Sequence, residues 1–224
     1  MKPIPTLHPF TYPGLALALL GVPLLIWVSN LLIGDAMLST SLVVTRELAI
    51  FALTGLLLLL VVKGEGLGLD SIGLHNRHWG KSLLLAVIGL VACFAAGAAT
   101  LFGLQFAGIP FGESGEAARY EHVSLWAITL MVLRAGVVEE ICYRGYAMER
   151  LGALSKNPLV YFWLPLVIFG LWHYRQGVGG ILISFVLGAV LAFMYWKKRD
   201  LKANIMAHFM VDFIPNVLAA LVAG

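Results

Sequence analysis

Charged residues are scarce in this sequence, and their scarcity excludes a soluble fold. They make up only 12% of the 224 residues, whereas soluble domains are typically about a quarter charged. A surface that faces water cannot be covered with so few charges. The apolar residues, 60% of the chain, fall in long blocks, and a helix needs about 20 such residues to cross a hydrocarbon core of roughly 30 Å. The composition predicts an all-α, polytopic integral membrane protein.

Cysteines and basic runs are also scarce, which excludes further classes of protein. The two cysteines, Cys93 and Cys142, each lie inside an apolar block, so neither a disulfide framework nor a cysteine-based zinc site is expected. Most of the 15 Lys and Arg residues are scattered along connecting segments and form no long basic run, and we therefore expect no nucleic-acid partner. The sequence also lacks the Gly-x-Ser-x-Gly segment that carries the nucleophile in many serine hydrolases.

Apolar blocks separated by polar segments predict a bundle of about seven transmembrane helices. The predicted spans cover residues 13–34, 42–62, 82–107, 123–150, 157–175, 178–196 and 203–223. Lys and Arg are concentrated in the connections that seven spans place on the side of the amino terminus. By the positive-inside rule, this bias predicts a cytoplasmic amino terminus and an external carboxyl terminus.

The core of the fourth predicted span contains four charged residues, namely Arg134, Glu139, Glu140 and Arg144, and Glu149 and Arg150 follow near its cytoplasmic end. A charge at the bilayer centre costs roughly 2.5 to 3.5 kcal/mol on insertion scales, so each of them needs a partner or a function. Glu140 and Arg144 are four residues apart with the acid first, which favours an intrahelical ion pair of mainly structural value. Glu139 points about 100° away from Glu140. It should face another helix, unless Arg134 folds towards it.

Two further charged residues, Arg46 and Glu47, lie near the start of the second predicted span. A position close to the external interface would let both side chains reach water along the helix surface. We therefore expect them to be solvated and to take no part in a buried site.

Two histidines are the candidate neighbours of Glu139. His173 follows the apolar run of the fifth span, with Phe169 four residues earlier on the same helical face. His208 lies in the seventh span, and Asp212 follows four residues later. One carboxylate and two imidazoles from three helices can bind a divalent metal or polarise a water molecule. Asp212 would then either fix the tautomer of His208 or join the ligands.

The same polar residues could instead join helices by hydrogen bonds without any catalytic role. Three separate and costly placements of Glu, His and Asp side chains favour a site over this structural interpretation. The depth of His173 in the membrane sets a condition for this site, because His173 lies near the external end of its span. The turn after it, which contains three glycines in the segment RQGVGG, must be recessed into the bundle, and such a turn is tolerated only inside protein or beside a water-filled cavity.

At these residues the chain resembles the CPBP family, the intramembrane proteases of CAAX and bacteriocin processing that are also called Abi proteins. Three blocks match in order, each on its own apolar segment: Glu139-Glu140-x-x-x-Arg144 followed by Gly145, Phe169-x-x-x-His173, and His208-x-x-x-Asp212. The resemblance covers about residues 123–220. It implies an endopeptidase that hydrolyses a peptide bond of a membrane-associated substrate, either a prenylated protein or a leader peptide.

The resemblance also implies roles for the matched residues. Glu139 and His173 would activate the attacking water, and His208 and Asp212 would stabilise the oxyanion or hold a metal. Glu140, Arg144 and Phe169 would support them. Glu139, His173 and His208 form a ligand set that suits zinc, which makes Zn²⁺ the predicted cofactor of a metalloprotease. A metal-free hydrolase driven by a glutamate is the alternative that the family leaves open.

The motifs divide the chain into two parts of one integrated membrane domain. Residues 1–122 are predicted to be an accessory part with three spans, and residues 123–224 a catalytic core with four. The expected partners are the lipid bilayer and a membrane-associated protein or peptide substrate, and the expected location is the inner membrane of a bacterial cell. Two alternatives remain: a non-catalytic immunity or scaffold protein of the same fold, and an ion-coupled transporter that uses Glu139 and the histidines as a relay.

Overall fold

The computed structural model describes residues 8–34, 36–75, 79–112 and 115–223, which form helices and loops and contain no β-strand. Seven main helices follow one another along this part of the chain: α1 (Thr11–Ile33), α2 (Thr40–Gly64), α3 (Trp79–Phe106), α4 (125–154), α5 (Leu159–Leu171), α6 (Tyr174–Lys198) and α7 (Leu201–Val222). Two short 3₁₀ turns, Leu69–Ile72 and Ala117–Tyr120, lie in the connections.

The predicted all-α membrane bundle is confirmed. Five helices, α1, α2, α3, α6 and α7, are long and apolar enough to cross a membrane, and they match five of the seven predicted spans. The fourth predicted span is the helical run α4, which carries the ionisable residues. The fifth is shorter than predicted, because α5 ends at Leu171 and is only about 20 Å long at 1.5 Å per residue.

Large apolar side chains cover the outside of the bundle, as expected for a surface in contact with lipid. They include Leu32, Trp79, Phe102, Phe106 and Val222, each exposed by more than half of its area. In water such a surface would be an aggregation hazard, whereas in a bilayer it faces hydrocarbon. Cys93 and Cys142 are both free and buried.

Helix α4 lies at the centre of the bundle, where it contacts α1, α2, α5 and α7. Its middle segment, Ala135–Met148, is a π-helix, and eleven of these 14 residues are buried. The backbone hydrogen bonds of a π-helix join residues five apart, and such segments are often found at functional sites. The wider turn places a side chain beside the one five residues later, a spacing that an α-helix would turn to different faces.

Glycines allow α4 and α7 to approach each other closely. A Cβ atom built on Gly136 would lie 2.9 Å from the backbone nitrogen of Phe209, and one on Gly145 would lie 2.9 Å from a methyl carbon of Leu201. Real side chains essentially never approach so closely, so these positions accept little more than hydrogen. Small residues at helix contacts are the usual means of close packing in membranes.

Candidate active site

The ion pair predicted between Glu140 and Arg144 is present and fully buried. Arg144 Nη1 donates to Glu140 Oε1 at 2.9 Å, and the two side chains are 0% and 2% exposed. Arg144 Nη2 also donates to the carbonyl oxygen of Gly188 at 2.9 Å, which ties α4 to α6. Removal of either charged partner would leave the other charge buried and uncompensated.

Glu140 also orients His208, a role that the sequence did not predict for it. His208 Nδ1 lies 2.8 Å from Glu140 Oε1, and Asn204 Nδ2 donates to Glu140 Oε2 at 3.0 Å. An ionised carboxylate only accepts hydrogen bonds, so His208 carries a proton on Nδ1. Nε2 is therefore the nitrogen of His208 that remains for chemistry.

Asp212 approaches this second nitrogen of His208. Its Oδ2 atom lies 3.5 Å from His208 Nε2, and the Asp212 side chain is 33% exposed. The separation is longer than an ordinary hydrogen bond, so the two atoms lie near each other without a short direct contact. The sequence left two roles open for Asp212, which were to fix the tautomer of His208 or to bind a metal. In the structure, Glu140 and not Asp212 fixes the proton on His208 Nδ1.

The Glu139 carboxylate has one oxygen engaged and one oxygen near His208. Arg134 Nη1 donates to Glu139 Oε1 at 2.7 Å, so Arg134 does reach towards Glu139. The π-helix explains this contact, since these two residues are five apart. Glu139 Oε2 lies 3.9 Å from His208 Nε2, and the Glu139 side chain is 16% exposed. This gap is too long for a direct hydrogen bond and suits a bridging water.

Arg46 and Glu47 are not solvated, and the expectation for them was wrong. Glu47 is 0% exposed and Arg46 is 7% exposed. Glu47 Oε1 accepts from Arg46 Nη2 at 3.1 Å, and Glu47 Oε2 accepts from Arg134 Nε at 2.6 Å. Helix α2 meets α4 here, and the charges pair with each other because both side chains lie in the protein interior.

His173 lies just beyond the end of α5 in a defined tautomer. Its Nδ1 atom is 2.8 Å from the carbonyl oxygen of Phe169, one of the carbonyls at a helix end that lack a partner four residues on. A carbonyl can only accept, so Nδ1 of His173 carries the proton and Nε2 of the neutral ring keeps its lone pair. His173 can therefore accept a hydrogen bond or a proton at Nε2.

The Phe169 ring lies between the two histidines. Its centroid is 4.9 Å from the ring of His173 and 6.4 Å from the ring of His208. The Arg144 guanidinium packs 4.5 Å from the same centroid, a cation–π contact. A Cβ on Gly188 would come within 2.9 Å of the ring, so the glycine makes room for it. Phe169 thus contacts both histidines and the arginine of the buried ion pair.

A cavity of about 640 Å³ brings the predicted site residues together. Glu139, His173, His208 and Asp212 all line it. The turn after α5 lines the same cavity through residues 174–176, and its recessed depth in the membrane stays a prediction. A space of this size is typical of ligand sites and is large enough for water and a segment of peptide.

The side chains around this cavity do not form a metal centre in the structure. Across the described parts of the chain, no group of three or more His, Cys, Asp and Glu side chains is arranged to hold a metal ion. His173 and His208 each have Nδ1 engaged, with a backbone carbonyl and with Glu140 respectively. The donors present do not match a preformed tetrahedral site, and the zinc requirement stays a prediction.

Two residues of this site were missed by the sequence interpretation, namely Asn204 and Glu47. Asn204 lies one turn before His208 on the same face of α7, and that spacing was the available signal. Glu47 had no such signal, because its inward direction depends on which helices cover α2. A single sequence does not show which helices pack against each other.

One comparison with known proteins gives a match. A family model described as Rce1-like, type II CAAX prenyl endopeptidase, matches residues 121–214. The matched segment contains α4, α5, α6 and the three motifs, and it confirms the resemblance on which the site prediction rested. Neither a curated protein nor a solved structure matches the chain significantly.

Proposed function

We propose, from the match of residues 121–214 to the Rce1-like model of type II CAAX prenyl endopeptidases, that this chain hydrolyses a peptide bond within the membrane. The substrate would be a membrane-associated peptide, either prenylated near its carboxyl terminus or an apolar leader. The observation that carries the proposal is the pairing of Glu139 Oε2 with His208 Nε2 across 3.9 Å, in a cavity that His173 also lines.

The first step is the activation of a water molecule by Glu139. Oε1 is held by Arg134, which leaves Oε2 to accept a proton from a water in the cavity. The neutral His173 ring can accept a hydrogen bond from the same water at Nε2 and orient it. The water oxygen attacks the scissile carbonyl carbon, and the carbonyl oxygen becomes an oxyanion. Glu139 then delivers its proton to the leaving amine, the C–N bond breaks, and the carboxylate is restored.

The oxyanion needs a donor, and His208 is suited to that role. Its Nδ1 proton is held by Glu140, so a ring protonated on both nitrogens would donate from Nε2 to the developing charge. Asp212, 3.5 Å from Nε2, holds such a ring in place when no oxyanion is present. An ionised Asp212 cannot itself donate to an oxyanion, so we assign it to the orientation of His208.

The walls of the cavity favour an apolar peptide as substrate. Aromatic side chains line it beside the charged groups, namely Trp27, Phe111, Tyr120, Trp172 and Tyr174. Apolar walls with a few polar groups are usual where a ligand must be both desolvated and oriented. A prenyl chain and an apolar peptide fit this description equally, and the assay below separates them.

Metal dependence is decided by a separate measurement. The steps above pass through no metal, because the donors are not arranged as a metal site. Elemental analysis of purified protein, with cleavage measured with and without a chelator, tests the zinc prediction. One equivalent of zinc that is lost in His173→Ala, together with chelator-sensitive cleavage, would establish a metalloprotease. Full cleavage after complete removal of metal would establish the glutamate-driven route.

The experiment that tests the function is cleavage by purified protein in liposomes. Two quenched fluorogenic peptides serve as substrates, one with a farnesylated cysteine followed by three residues and one an unprenylated apolar leader. We expect wild-type protein to cleave one of them and Glu139→Gln to lose at least about 10²-fold in rate, the usual loss on removal of a general base. The variant should fold normally, because Gln can still accept from Arg134.

The matched control is Glu121→Gln, which changes an exposed glutamate outside the helices and should cleave at the wild-type rate. Full activity of folded Glu139→Gln would refute the assignment of the base. Folded wild-type protein that cleaves neither peptide would favour the non-catalytic scaffold. Ion flux through liposomes that depends on Glu139 would favour the transporter.

A further inference from the structure

We propose that Glu47 of α2 is a positioning residue for the reaction, because it fixes Arg134 and through it the Glu139 carboxylate. The proposal rests on the function proposed above. It assigns a role to a helix of the amino-terminal part, outside the segment that matches the family model. The amino-terminal part of the chain would then contribute a residue that the reaction needs.

The first step of the argument is the geometry of Arg134. Its Nε atom donates to Glu47 Oε2 at 2.6 Å, and its Nη1 atom donates to Glu139 Oε1 at 2.7 Å. The guanidinium is planar and its donors are fixed relative to one another. A guanidinium held at Nε can therefore present Nη1 in only a narrow range of positions. The position of Glu47 therefore determines the position of Arg134 Nη1, and through it the position of Glu139 Oε1.

Glu47 itself is held on both oxygens. Oε1 accepts from Arg46 at Nε and Nη2, at 3.2 and 3.1 Å, while Oε2 accepts from Arg134. Arg46 Nη2 is in turn 3.2 Å from the hydroxyl of Tyr120, which anchors the far end of the chain of contacts. The Glu47 side chain is 0% exposed, so both of its oxygens are held inside the protein.

The charges of this network balance, which explains how it persists inside a membrane protein. Arg46 and Arg134 supply two positive charges, and Glu47 and Glu139 supply two negative charges. A buried charge is tolerated when it is paired and hydrogen-bonded. The two glutamates differ, because Glu47 is fully buried, whereas Glu139 lines the cavity and its Oε2 atom lies near His208. The network holds one oxygen of the base and leaves the other free to react.

The chain contains a second contact of the same construction, which supplies a matched control. Glu65, just after α2, accepts from Arg150 of α4 at 2.7 Å, and the two side chains are each 1% exposed. Tyr146 also donates to Glu65 at 2.9 Å. This cluster contributes no residue to the lining of the 640 Å³ cavity. It joins the same two parts of the chain without touching the base.

The test compares Glu47→Gln with Glu65→Gln in the liposome cleavage assay, with rates expressed per folded protein. We expect Glu47→Gln to lower kcat between about 10- and 100-fold, the loss typical of a misplaced catalytic group, with KM within about twofold of wild type. We expect Glu65→Gln to lower thermal stability but to keep the wild-type kcat. A wild-type kcat in folded Glu47→Gln would overturn the proposal, as would an equal loss of kcat in both variants.

A double-mutant cycle then checks the route through Arg134. If Glu47 acts through this residue, Glu47→Gln costs little further activity once Arg134→Gln is present, because the intermediary is gone. Losses that multiply would show that Glu47 acts elsewhere and would refute the route. If Glu47→Gln does not fold, Glu47→Asp replaces it. That variant keeps the charge but draws it back by one methylene, so a reduced kcat supports the proposal and a wild-type kcat refutes it.

The outcome is separable from that for the function itself. Loss of cleavage in Glu139→Gln with full cleavage in Glu47→Gln would leave the endopeptidase standing and remove only the role of Glu47. Full cleavage in Glu139→Gln would remove the base, and the role of Glu47 with it.

Discussion

At the scale of single residues, two adjacent glutamates have different environments and different roles. Glu140 has both oxygens bonded and is fully buried, whereas Glu139 keeps one oxygen near the cavity. The sequence predicted the Glu140–Arg144 pair, because helical spacing alone decides it. It could not predict that Glu140 also binds His208, since that contact depends on how α4 and α7 pack. It likewise placed Glu47 in water, because the edge of an apolar block does not show what covers it.

Asp212 gives a prediction at this scale. In Asp212→Asn the amide oxygen can still accept from His208, and the amide nitrogen can also donate to an oxyanion. We expect kcat within about fivefold of wild type, whereas Asp212→Ala should lose at least about tenfold because His208 is released. Both are measured with the peptide that wild type cleaves. An Asn variant as inactive as Glu139→Gln would mean that a negative charge is required at this position, as for a cation ligand.

At the scale of helices, the site depends on the π-helical segment of α4 and on its tight contact with α7. The positions of the apolar helices were predictable, because about 20 apolar residues in a row have few other uses in a protein. The π-helical segment was not predictable, since its sequence looks like that of an ordinary amphipathic helix. In an α-helix, Arg134 and Glu139 would point to different faces, so their contact was predicted only as an exception. In the structure they are in contact, because side chains five residues apart lie side by side in a π-helix.

Gly136 gives a prediction for this helix contact. A methyl group at this position would meet the Phe209 backbone at 2.9 Å, and neither backbone can move aside cheaply. We expect Gly136→Ala to destabilise the fold by about 1 to 3 kcal/mol, as overpacking does, and to lower cleavage per folded protein because Glu139 moves away from His208. Thermal unfolding in detergent and the cleavage assay measure the two effects.

Gly103→Ala is the control for this change. Gly103 lies within α3, where an added Cβ would meet nothing within 4 Å. Alanine there should be neutral or slightly stabilising, because it favours the helix more than glycine does. Equal behaviour of the two alanine variants would contradict the close contact between α4 and α7.

At the scale of the whole molecule, α4 packs against helices from both parts of the chain. The predicted motifs came from the carboxyl-terminal part alone, since only that part contains recognisable spacing. Glu47, Arg46 and Tyr120 enter the network around Glu139 from the amino-terminal side of the sequence. The two parts therefore share charged contacts that neither could satisfy alone in a membrane.

Topology is the prediction for the whole molecule. The distribution of Lys and Arg places the amino terminus in the cytoplasm and the carboxyl terminus outside. Reporter proteins that are active on only one side of the membrane, fused in turn to each end, measure this directly in bacterial cells. We expect the two fusions to report opposite sides. Reporters active on the same side would mean an even number of crossings and would contradict the predicted arrangement.

The shortness of α5 has a consequence for how hydrolysis can occur inside a lipid bilayer at all. A helix of about 20 Å leaves roughly 10 Å of a 30 Å hydrocarbon layer uncrossed. The depression above its end is bordered by Phe111, Gly112 and the ion pair of Arg175 with Glu116. Under the proposed function, we expect water to reach Glu139 through this opening of the cavity. The scissile bond of the proposed substrate would then not have to leave the membrane, because the short helix would let water come to it.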